Sequence, residues 1–193
     1  MIKEWKKALA GTIGIDWSVV EEDLGFELHD NLKDLYSRIL GKGTSAGRAE
    51  GVMVFNPQVF VKENINRDSW LEDANGGRKY AQFDLFPLKQ ADSEYVCEFM
   101  QEAFEGDWTG GNDFGHRAYI GEILLNIGQI TLVFNNDTGR FEWVDFGYGY
   151  FDVYEENPYG IVADNAQEFL DKFVVDEEAM AALAELYDEE DEE

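Results

Sequence analysis

The chain is short of several residue types, and each shortage removes a class of protein. One cysteine, Cys97, stands among 193 residues. It cannot close an internal disulfide, so a reducing cytosol is the expected compartment. With only two histidines, His29 and His116, the chain lacks the Cys/His sets that zinc sites are built from. Three prolines leave no Pro-rich linker. No stretch approaches the roughly 18 apolar residues of a membrane span. The opening MIKEWKKALAG has basic groups but no apolar run of signal-peptide length. Positive charge is also scarce: 15 Lys and Arg face 41 Asp and Glu, for a net charge of −26.

That imbalance is uneven. Residues 1–97 carry 12 basic and 16 acidic side chains, whereas residues 98–193 carry 3 and 25. Such a surface repels phosphate backbones and anionic headgroups, so neither nucleic acid nor membrane is expected as a partner. It attracts basic proteins and speeds their encounter by long-range steering. Solubility alone is the plainer reading of the same charge. What the chain does have is apolar mass: 45% hydrophobic and 15% aromatic residues, enough for a packed core without metal or disulfide.

Helical spacing recurs in four places. SVVEEDLG offers Ser18 as cap with Glu21 closing a capping box and Gly25 past the end. In HDNLKDLYSRILG, Asp30 is the expected N-cap, and Leu32, Leu35, Tyr36, Ile39 and Leu40 share one face. SEYVCEFMQEAFEGD places Val96, Phe99, Met100, Ala103 and Phe104 at helical spacing, with Cys97 one step off as a half-exposed, unreactive thiol. DNAQEFLDKF starts with Asp164 and Gln167 as a capping box and buries Ala166, Phe169, Leu170 and Phe173. Strands are expected at GVMVFNP, around KYAQFDLFPL, and in a meander through YIGEILLN, QITLVFN and RFEWVDFG. In the middle of these, Ile130, Leu132 and Phe134 alternate with their neighbours. A last helix, DEEAMAALAELY, and the acidic tail DEEDEE complete the chain. The division expected is one domain over residues 1–175 and a C-terminal helix with acidic tail over 176–193.

Motifs for chemistry mostly fail on spacing. GKGTSAGRAEG is glycine-rich, but Arg48 and Ala49 follow Gly47 where a P-loop needs Lys and Ser or Thr. Counted as a calcium loop from Asn135, NNDTG puts Gly139 at position 5 and Phe146 at position 12, so it reads as a hairpin turn. No cofactor and no metal site is expected. His116, in the loop GDWTGGNDFGHRA with Asp113 nearby and Glu122 downstream, is the single acid–base candidate. The better binding candidate is DFGYGYFDVYEENPYG, which sets Tyr148, Tyr150, Tyr154 and Tyr159 among Asp145, Asp152, Glu155 and Glu156. Tyrosine gives contact area at low entropy cost, and acids complement a basic partner.

Three segments, LHDNLKDLYSRILG, YIGEILLNIGQITLVFNNDTGRFEWVDF and ENPYGIVADNAQEFLDKF, together resemble the SUKH superfamily, which includes fungal cell-wall assembly regulators and bacterial immunity proteins. His29 stands where that family often has proline before its early helix. The resemblance implies an α+β fold, a mainly antiparallel sheet with helices packed against it, as the spacing of helices and meander also indicates. It further implies a non-enzymatic immunity protein that occludes a cognate toxin, with basic nuclease-type toxins suiting the charge. A regulatory or scaffold protein of the same fold, a small enzyme using His116, and a nucleic-acid mimic acting through the tail are the alternatives.

Overall fold

The computed structural model describes residues 5–6, 14–41, 49–54, 80–106, 108, 113–125, 128–144 and 159–173. In β1 and at the ends of some other strands only the backbone is described. Helices α1 (Trp17–Leu24), α2 (Asp30–Ile39), α3 (Ser93–Glu105) and α4 (Ala166–Asp171) accompany six strands. These are β1 (Ala49–Val54), β2 (Tyr80–Leu85), β3 (Arg117–Leu125), β4 (Gly128–Asn135), β5 (Arg140–Val144) and β6 (Tyr159–Ala163). The strands lie side by side in chain order, each antiparallel to the next. The fold is therefore α+β, with an antiparallel meander as its sheet.

Register explains which side the helices cover, because directly opposite residues share a face. Ala118, Phe134, Phe141 and Ala163 form one cross-strand row, and Phe83, Ile123 and Ile130 form another. All seven are buried. Phe169 of α4 lies flat on Phe141, ring centroids 4.3 Å apart, and Phe173 meets Phe83 edge-on at 5.3 Å. The stripe Leu32, Leu35, Tyr36 and Ile39 of α2 joins the same core, as do Val96 and Met100 of α3. Each such ring or branched side chain removed from water contributes about 1.5–3 kcal/mol. Arg38 ties α2 to α4: it holds Asp34 through two bonds of 2.8 and 2.9 Å and donates to Gln167 at 2.6 Å.

Gly121 follows an irregularity in the β3–β4 ladder, between Tyr119 and Gly121. A methyl group there would collide with the Asp84 carbonyl of β2, so only glycine lets the two strands meet.

The caps differ from expectation by one or two residues in three helices. Asp16, not Ser18, caps α1, accepting from the Ser18 amide. Glu21 instead accepts from Leu28 N–H and pairs with Lys33 at 2.6 Å, joining α1 to α2. His29, not Asp30, caps α2: its Nδ1 accepts from Asn31 N–H at 3.1 Å. Asn165, not Asp164, caps α4, and Glu168 reaches back to the Asp164 amide. The expected last helix and acidic tail lie outside the described residues. Among the described residues no helix is long and apolar enough to cross a membrane.

Candidate functional site

The hairpin turn between β4 and β5 is built by asparagines. Asn135 Oδ1 accepts from the Asp137 and Thr138 amides, the self-bonding turn that Asn favours. Gly139 closes it at φ +70°, and any side chain at that position would strike the His29 ring. Asn136 then anchors the turn to the start of α2. Its amide donates to the Glu27 carbonyl at 2.8 Å, and its Oδ1 accepts from His29 N–H at 2.8 Å. Asn31 adds a bond to the Gly139 carbonyl. The bonding capacity of NNDTG is thus largely taken up by internal partners, which is what a docking turn requires.

His116 flanks this turn. Its Nδ1 lies 2.9 Å from Asp137 Oδ1, and its ring stacks on Phe26 at 4.7 Å. The carboxylate it meets is Asp137. Asp113 instead accepts from Gly115 N–H within its own loop, and Glu122 accepts from the Tyr119 hydroxyl. The His116 and Asp137 side chains are 56% and 62% exposed, so water screens the pair to at most about 1 kcal/mol. Burial pushes the Cys97 thiol above its ordinary range, and the Asp23 charge adds to the effect. Cys97 is therefore kept protonated, the opposite of a nucleophile's tuning. Among the described residues no group of three His, Cys, Asp or Glu side chains could hold a metal ion.

The sheet face away from the helices carries a buried polar set. Arg117 pairs with Glu142 at 2.7 Å, their side chains 12% and 5% exposed, and Asn135 donates to the same carboxylate at 2.9 Å. Arg117 also donates to the Phe114 carbonyl. Asp84 and Glu122 stand directly opposite each other across β2 and β3, both buried.

Among the described residues, a concavity next to α3 has a recognisable chemistry. A groove of about 480 Å³ runs between α3 and the β2–β3 side. It is lined by Phe86 and Tyr119, in edge-to-face contact at 4.8 Å, and by Tyr95 and Phe99 of α3. Glu98, Glu102 and Ala103 line the same groove. Neither carboxylate is paired with a cation among the described residues, whereas Glu21, Asp34, Glu142, Asp164 and Glu168 all are.

Of the residues expected to bind a partner, Asp145, Tyr148, Tyr150, Asp152, Tyr154, Glu155 and Glu156 lie outside the described residues. Tyr159 opens β6 through its backbone, and its side chain is not among those described. Of the groove residues, the sequence marked Phe99 and Ala103 only as part of an apolar helix stripe, and none as a binding residue. A signal existed within α3, where Tyr95, Glu98 and Glu102 recur three and four apart beside the buried stripe. Nothing local linked them to Phe86 and Tyr119. Comparison of the chain with protein-family models, with curated proteins and with solved structures gave no match.

Proposed function

We propose that the chain is a non-enzymatic protein-binding module that neutralises a basic, nuclease-type toxin by covering its cationic active surface. The observation that carries this reading is the charge: 41 acidic against 15 basic side chains, with 25 of the acids in residues 98–193. A field of that sign and size steers a basic protein to the surface and holds it by complementarity. The resemblance of three ordered segments to the SUKH superfamily supports the immunity role, and the α+β meander is compatible with it. The exposed His116–Asp137 pair supplies no dry pocket for general acid–base work. Conversion of His116→Ala is accordingly expected to leave toxin protection unchanged.

The test is copurification with the protein encoded beside this gene, when that protein is basic and toxic on its own. A complex that forms at about 50 mM salt and weakens steeply by about 500 mM fits the proposal. Absence of any complex at low salt overturns it. A complex that forms without relieving toxicity favours the scaffold reading instead.

A further inference from the structure

We propose that the groove between α3 and the β2–β3 side receives an arginine or lysine side chain projecting from that basic partner. The inference rests on the reading of the chain as a binder of a basic protein and gives that reading a location. Two pairs of aromatic rings line the groove: Phe86 with Tyr119, and Tyr95 with Phe99. Ring faces carry negative electrostatic potential and attract a cation that has shed water. Glu98 and Glu102, four apart on the exposed flank of α3, add two carboxylates to the same cavity.

Complementarity decides the occupant. An apolar side chain would match the rings but strip water from two carboxylates without replacing their hydrogen bonds. An anion would meet both carboxylates. A guanidinium or ammonium on an aliphatic stem satisfies every part of the lining: the stem packs on the rings and Ala103, and the head bonds Glu98 and Glu102. The volume of about 480 Å³ exceeds one such side chain and leaves room for the backbone that presents it. A planar guanidinium can stack on a ring and bond a carboxylate together, which favours arginine over lysine.

A fluorescent arginine-rich peptide and its citrulline counterpart, which keeps shape and loses charge, serve as probes of the whole protein. Polarisation at low salt is expected to show binding of the arginine peptide and at least about tenfold weaker binding of the citrulline one. The double change Glu98→Gln and Glu102→Gln is expected to weaken arginine-peptide binding about tenfold. A control pair with the same change in charge, Glu22→Gln and Glu27→Gln, on exposed positions is expected to cost less than about twofold. Tyr95→Leu, which keeps an apolar wall and removes the ring, is expected to cost about threefold. Melting curves that superimpose on the parent's show that each variant is folded. Equal losses from the groove pair and the control pair overturn the groove and leave the basic-partner reading standing. Failure of the unmodified protein to bind the arginine peptide at any salt concentration overturns both.

Discussion

Both faces of the central sheet carry described side chains that are withdrawn from water, yet these are held by different forces. On the helix side, Phe141 and Phe83 meet the rings of Phe169 and Phe173, and Ile123 and Phe134 belong to the same apolar cluster. That attraction is non-directional and scales with area, so a neighbour of equal volume serves nearly as well. On the opposite side, Arg117, Asn135 and Glu142 are joined by bonds of 2.7 and 2.9 Å with fixed partners. There a single change leaves a charge in a place with little water, and the cost is that of the stranded group. One face therefore tolerates exchange, and the other tolerates only matched exchange.

The largest expected effect comes from emptying the apolar face. Phe141→Ala should cost about 3–5 kcal/mol, read as a lowered urea midpoint at constant slope, while Phe141→Leu costs clearly less. Next is Glu142→Leu, expected to cost about 3 kcal/mol because Arg117 and Asn135 lose their shared carboxylate. Adding Arg117→Met should recover most of that loss. If the single change costs under about 1 kcal/mol, directed bonds do not hold the polar face and the contrast between the faces is broken.

Tyr36→Phe sharpens the contrast from the other direction. The Tyr36 hydroxyl is fully buried in the apolar core with no hydrogen-bond partner among the described residues, and burial pushes its ionisation far above the ordinary range. Removing it should be neutral or raise stability by about 1 kcal/mol, visible as a higher Tm. The smallest effect concerns Glu21, at the partly exposed junction of α1 and α2. Burial pushes its carboxyl upward, but bonds from Lys33 and Leu28 N–H, with the Lys33 charge, outweigh this and leave it below the ordinary value of 4.5. Its contribution is thus fully present above that value and lost as pH falls through the lower folded one. Glu21→Gln should make the acid limb of the stability curve shallower below pH 4.5 and leave neutral stability less altered.

Much of the architecture was legible because local pattern and tertiary demand agree. The stripe Leu32, Leu35, Tyr36 and Ile39 is buried as its spacing requires, and the alternation of Ile130, Leu132 and Phe134 marks the helix-facing side of β4. Caps were harder, because their choice depends on distant partners. His29 caps α2 in a backbone geometry also fixed by its bond to Asn136, 107 residues away. The buried polar face was illegible: Asp84, Glu122 and Glu142 sit where alternation assigns water. The groove was half legible, its α3 flank readable from helical spacing and its other wall set only by sheet pairing. The acidic tyrosine run from Asp145 to Glu156 lies outside the described residues.

The order of the strands has a consequence in time. Each strand bonds to the one made just before it, so no pairing has to reach past another strand, and the loops closing β3 to β4 and β4 to β5 are only two and four residues long. The Asn136 bonds to Glu27 and His29 span more than a hundred residues. During synthesis, α2 must therefore wait for the β4–β5 turn before its first residues are pinned. An early helix is fastened by one of the later turns, so the contacts at its start close only after the residues of that turn have been made.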